Sequence, residues 1–160
     1  MTATDLNAVR KSITVRAPQA TAFRVFTEGM ATWWPLETHH IGKAAPKAVA
    51  IEPRVGGRCY ERGVDGSECV WGHVMVWEPP ARYVFSWEIS ADFQVDPNLK
   101  TEVEVRFIAE TAERTRVELE HRLLDRFGER RDEMRNSFDS PGGWTGLLEL
   151  FAKRAEKEAA

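Results

Sequence analysis

The stretch from Pro141 to Glu158 sets the strongest condition on how this chain can fold. After Pro141-Gly142-Gly143, the residues Trp144, Leu147, Leu148, Phe151, Ala152 and Ala155 recur at the i, i+3, i+4, i+7 spacing of one helical stripe, with Thr145, Glu149, Lys153, Glu156 and Lys157 on the other side. A helix of roughly 15 residues is about 23 Å long and marginal alone, so it must lay that stripe on another element. Most of what precedes it reads as strand, so the partner is a sheet. A long closing helix gripping a curved antiparallel sheet leaves space between the two, and function is expected there.

At 160 residues with 42% apolar content, the chain is long enough for one adequate core, and a single domain over 1–160 is expected. The 25 acidic and 22 basic residues are spread along it, which excludes the concentrated positive field that nucleic acid requires. Met1 to Asp5 has no basic segment followed by an apolar run, and no stretch approaches the roughly 20 apolar residues of a membrane span, so a cytoplasmic location without membrane contact is the expectation. Two cysteines, Cys59 and Cys69, are too few for a disulfide framework and read as reduced thiols. Six tryptophans suit a wide core or a cavity lined with flat surfaces.

Val9 to Arg16 alternates as a first strand and ends at Ala17-Pro18; Ala22, Phe23, Val25 and Phe26 then give a short helix stopped by Gly29. Met30 to Pro35 reads as a second short helical turn, and Leu36 to Lys47 as a loop. Strands follow at Lys47 to Glu52 and from Gly57 to about Gly63. Asp65-Gly66 signals a two-residue hairpin, which sets Tyr60 opposite Trp71, Arg58 opposite His73, Cys59 opposite Gly72 and Arg62 opposite Cys69. One hairpin face then carries Arg58, Tyr60, Trp71, His73 and Met75, the other Cys59, Glu61, Val70, Gly72, Val74 and Val76; alternation alone leaves open which looks inward. Beyond Pro79-Pro80, Tyr83 to Ile89 is a strand and Ala91 to Asn98 a loop. Val103, Val105 and Phe107 must share a face with Val117, Leu119 and His121, which pairs Val103 with His121 and turns that imidazole inward. Leu123 to Ser140 is charged and irregular and reads as a surface connection with about one helical turn, leading into the closing helix.

The order strand, two short helices, six strands, long helix carries Trp33-Trp34-Pro35, Gly56-Gly57-Arg58, Gly72 before Val74, Pro79-Pro80 with Trp87 beyond, Val117 to His121 and Gly143-Trp144. In this it resembles the family of activator of Hsp90 ATPase homologue 1-like proteins, within the START-like, Bet v 1-like superfamily, over about residues 8–156. Trp33-Trp34-Pro35, Thr115-Arg116-Val117, Glu120-His121, Asp125-Arg126 and Gly143-Trp144 look especially like the enediyne-resistance proteins of that family, which take up the drug and are consumed. Thr111 and Ala112 stand in the turn where that analogy expects a glycine. The resemblance implies an α+β helix-grip fold, a curved antiparallel sheet of about seven strands with two short helices and a long C-terminal helix, enclosing a cavity.

His121 is the first candidate for acid or base chemistry, since an imidazole facing a semi-dry cavity titrates near neutral pH; a histidine paired in the core is the competing reading. Glu61 is the second, if its face lines the cavity. Arg58, Tyr60 and His73 could hold an anionic or phenolic ligand, or lie on a solvated convex side. Trp33 and Trp34 precede the loop near the expected cavity mouth. Residues expected to meet a ligand are Trp33, Trp34 and His39 at the mouth, Arg58, Tyr60, Trp71 and His73 on the hairpin, and Trp87, Val105, His121, Trp144 and Leu148 on the inner sheet and closing helix. His39-His40 lacks further partners at metal-ligand spacing, so no metal is expected, and no cofactor motif appears. The leading expectation is a monomeric or homodimeric protein holding a hydrophobic or aromatic small molecule. A polyketide cyclase or dehydratase-like enzyme is the alternative, and a chaperone-ATPase-activating module the third.

Overall fold

The alternating segments become strands and the closing stripe becomes a helix in the computed structural model, which describes residues 5–160. β1 (Val9–Val15) leads to α1 (Gln19–Phe26) and a 3-10 turn at Met30–Thr32, then to β2 (Pro46–Ile51), β3 (Arg58–Gly63), β4 (Glu68–Glu78), β5 (Arg82–Trp87), β6 (Thr101–Thr111) and β7 (Arg114–Arg122). A 3-10 stretch at Leu124–Arg130, α2 (Arg131–Asp139) and α3 (Trp144–Ala159) close the chain. The strands form one antiparallel sheet in the order β1-β7-β6-β5-β4-β3-β2, which places the first strand beside the last.

All six apolar residues of the closing stripe, from Trp144 to Ala155, are buried where α3 lies against the sheet. β6 and β7 pair as their shared inner face requires, Val103 with His121, Val105 with Leu119 and Phe107 with Val117. A register shift between Ala109 and Thr111 supplies the odd residue that this parity demands. Midway along α3 the interior is solid. Phe26 stands with its ring centroid 5.0 Å from Phe151, 5.1 Å from Trp33 and 5.8 Å from both Tyr83 and Phe107. Each such ring removed from water contributes about 1.5–3 kcal/mol, and edge-to-face contacts add to it.

Two local readings change. Asp65-Gly66 does not make a two-residue turn: Gly63 N–H bonds Ser67 O at 2.9 Å, leaving a three-residue loop of Val64, Asp65 and Gly66, with Gly66 at φ 85°. Pairing near the loop therefore slips by one, to Arg62 with Glu68, Glu61 with Cys69 and Tyr60 with Val70. Trp71 is then the extra residue of a β-bulge, after which Cys59 meets Gly72 and Arg58 meets His73 as expected. The bulge turns Trp71 to the inner face with Cys59, Glu61 and Val74 and leaves Arg58, Tyr60 and His73 on the other. Gly72 makes this possible, because a Cβ there would lie 1.7 Å from Ser86 O on β5.

The second change is at 123–140, which is mostly helical. Leu124 and Phe127 are buried on the 3-10 stretch and Met134 and Phe138 on α2, at helical spacings of 3 and 4 on either side of a break at Gly128. This segment caps one end of the sheet and delivers the chain to Gly143. Cys59 and Cys69 are both free thiols.

Candidate functional site

At the N-terminal end of α3 the helix and the sheet part, leaving a cavity of about 320 Å³. That is the low end of the roughly 300–1,000 Å³ typical of small-molecule sites. Its walls are Trp34, Trp71, Trp87 and Trp144, joined by Phe138 and Leu147. The rings nearly adjoin: Trp34 is 5.2 Å from Trp71 and 6.3 Å from Trp144, and Trp87 is 5.7 Å from both Trp144 and Phe138. Phe93, exposed and held at φ 59° in the loop after β5, stands at the mouth.

Hydrogen bonds lock most of these rings. Trp71 Nε1 donates to Glu61 Oε1 at 2.8 Å, and the same oxygen accepts the Ile41 N–H, so a 2% exposed carboxylate ties the bulge to the loop that roofs the cavity. Trp34 Nε1 donates to His39 O at 2.9 Å. The Gly142 carbonyl only accepts, so His39 Nε2 donates to it at 2.8 Å and Nδ1 takes the Thr38 hydroxyl at 2.8 Å. His39 thus pins the roof loop to the start of α3.

His121 works from behind the wall. Trp144 Nε1 can only donate, so it gives its hydrogen to His121 Nδ1 at 3.2 Å, and Nε2–H goes to Thr101 Oγ1 at 2.8 Å. The ring is wholly buried, and burial holds its pKa down to about 3. With both nitrogens engaged, a neutral imidazole orients Trp144 and packs 4.2 Å from Phe138. Half-buried His40 also lines the cavity, with Nδ1 bonded to Gly42 O at 3.0 Å and no protein partner for Nε2 among the described residues.

Of the residues expected to meet a ligand, Trp34, His39, Trp71, Trp87 and Trp144 gather around this cavity. Trp33, Val105 and Leu148 are buried in the core beside it. Arg58, Tyr60 and His73 stand on the opposite face of the hairpin: Arg58 pairs with Glu52 and Glu68 and lies 4.4 Å over the Tyr60 ring, while His73 Nδ1 meets Glu88 at 2.9 Å. His40, Ile41, Ile89, Phe93, Phe138 and Leu147 line the cavity without having been expected to meet a ligand. Leu147 belongs to the apolar stripe of α3 and the 134–138 spacing on α2 carried a signal for Phe138, whereas His40, Ile41, Ile89 and Phe93 depend on where loops come to rest. Among the described residues, no group of three or more His, Cys, Asp or Glu is placed to hold a metal ion. No described helix is long and apolar enough to cross a membrane.

A curled seven-stranded sheet closed by a long C-terminal helix is the helix-grip α+β arrangement of START-like proteins. Within that class the chain belongs to the family described as activator of Hsp90 ATPase homolog 1-like protein, which matches residues 16–156. Among solved structures it is similar to the anthrahydroquino-γ-pyrone synthase Txn09 complexed with SUM, at 37% identity over 94% of this chain and 99% of that one, with a TM-score of 0.64. It is also similar to CalC of Micromonospora echinospora, a self-sacrificing resistance protein, at 32% identity over 96% and 97% of the two chains and a TM-score of 0.72. An HSP90 activator from Plasmodium falciparum shares the fold at 18% identity over 73% of each chain, with a TM-score of 0.52. No protein among those with curated descriptions matches the chain.

Proposed function

We propose that this protein binds a flat, largely apolar aromatic small molecule in the cavity at the N-terminal end of α3. The observation that carries this reading is the use of the tryptophans: four of the six stand around a space, although the same fold fills its middle with rings. Aromatic faces of this kind suit stacking and edge-to-face contact with a polycyclic ligand. The likeness to Txn09 and CalC, each above 30% identity over nearly the whole chain, supports a polyketide or related antibiotic as the ligand class.

A second reading, an enzyme of the polyketide cyclase kind, is favoured by the 37% identity to a protein described as a synthase. The chaperone-activator reading rests on the family's description and on a likeness at 18% identity, which extends to the fold alone.

The test is thermal melting and tryptophan emission against anthraquinones, enediynes, sterols and fatty acids. A ligand present at 100 times its Kd adds about 2.7 kcal/mol to the native state. The expected result is a saturable rise in Tm with one polycyclic aromatic class, abolished by Leu147→Trp, which fills the cavity from α3. Equal response to fatty acids and aromatics, or binding that survives Leu147→Trp, would remove the assignment.

A further inference from the structure

The polar atoms of the cavity wall are almost all committed. The indole N–H groups of Trp34, Trp71 and Trp144 go to His39 O, Glu61 and His121, and both nitrogens of His39 are engaged. The hydroxyl of Ser137 lies on an exposed residue, where water serves it. The Trp87 indole N–H is buried without a partner among the described residues.

His40 is different. Its Nδ1 faces the Gly42 carbonyl at 3.0 Å, and a carbonyl oxygen can only accept, so the hydrogen sits on Nδ1. In the neutral ring this leaves Nε2 as a lone-pair acceptor on a half-buried residue lining a cavity walled mainly by aromatic and aliphatic side chains. An acceptor there rewards a ligand that brings an O–H and penalises the same ring system without one, because desolvating the nitrogen unpaired has a cost.

We infer that His40 is the hydrogen-bonding end of the cavity, and that the ligand it selects is an aromatic carrying a phenolic or enolic hydroxyl. The inference rests on the binding reading above and narrows its ligand class. The acidic hydroxyl donates to Nε2, and no bond to carbon or oxygen is made or broken in the binding step.

The experiment is calorimetric titration of the full chain at pH 8 with 2-naphthol, 2-methoxynaphthalene and 2-naphthoate, in wild type and His40→Leu. Wild type is expected to bind 2-naphthol about tenfold more tightly than the methyl ether. His40→Leu should erase that preference, so that naphthol and ether bind it within about twofold of each other. Equal wild-type affinity for naphthol and ether overturns the inference, and this arm does not depend on the variant folding. A preference retained in a folded His40→Leu, or naphthoate as the tightest ligand, overturns it as well. If the ether binds and the naphthol has no advantage, only the role of His40 fails. If none of the three binds, the cavity reading fails with it.

Discussion

Glu61 and Trp71, two residues of one hairpin, are joined by a 2.8 Å hydrogen bond that exists only because a bulge turns the indole to the carboxylate's side of the sheet. The oxygen that accepts it also accepts the Ile41 N–H. One buried acid therefore holds a wall of the cavity and its roof.

Replacing Glu61 by Leu leaves the buried Trp71 indole N–H and the half-buried Ile41 N–H without their acceptor, and the loss at a buried donor costs about 1–3 kcal/mol. Glu61→Leu should lower unfolding stability by at least that much in urea and shift the tryptophan emission to the red, with Glu61→Gln, which keeps a carbonyl oxygen, less affected. A change within about 0.5 kcal/mol for Glu61→Leu, the range of ordinary surface substitutions, would show that the link holds nothing.

His121 gives a pH signature. Its folded pKa is held down to about 3 by burial, against an ordinary 6.5. Between those values the unfolded chain binds a proton that the folded chain does not. The contribution of the neutral ring is complete above about pH 6.5 and is lost as pH falls toward 3, with a limiting slope of about 1.4 kcal/mol per pH unit. Urea unfolding from pH 7 to pH 4 should show wild type losing stability more steeply than His121→Gln; parallel curves would contradict the neutral, doubly bonded ring.

Gly72 permits the approach of β5 to the bulge, and a methyl group there must displace the Ser86 carbonyl. Gly72→Ala should cost about 3 kcal/mol, at the upper end for overpacked sites, and lower the Tm while altering the near-ultraviolet signal of Trp71. An unchanged Tm would mean the two strands separate freely.

The thiols should differ in reactivity. Burial pushes Cys59 up to about 12, with the Glu88 and Glu52 carboxylates adding to it; burial also raises Cys69, with Glu61 contributing, but Cys69 is only partly covered. Titration with DTNB at pH 8 should detect one slowly reacting group in the native protein, removed by Cys69→Ser, and both groups in guanidinium. Rapid native reaction in the Cys69→Ser variant would place Cys59 nearer the surface.

Much of the frame was legible along the chain because its causes are local. Alternation at 103–107 and 117–121, with one shared apolar face, is enough to set the β6–β7 register, and the 3.6-residue stripe from Trp144 to Ala155 names every buried residue of α3. The helical 124–138 segment is masked because its four apolar residues stand among many charges and the break at Gly128 interrupts their period. The hairpin slipped because Asp-Gly is compatible with both a two-residue and a three-residue loop, and one residue of slip exchanges the faces.

The sequence by itself therefore determined the closing helix, the inner face of β6 and β7 and the inward turn of His121, since each follows from local periodicity, while the motifs shared with the family pointed to the helix-grip class. Tertiary structure alone decided that the space lies at the end of α3, that Trp71 rather than Arg58, Tyr60 or His73 lines it, and that His40 Nε2 has no partner among the described residues. Those outcomes depend on a bulge, a close approach at Gly72 and a loop pinned by Glu61 and Gly142. Such contacts join residues distant in the chain, and no local period records them.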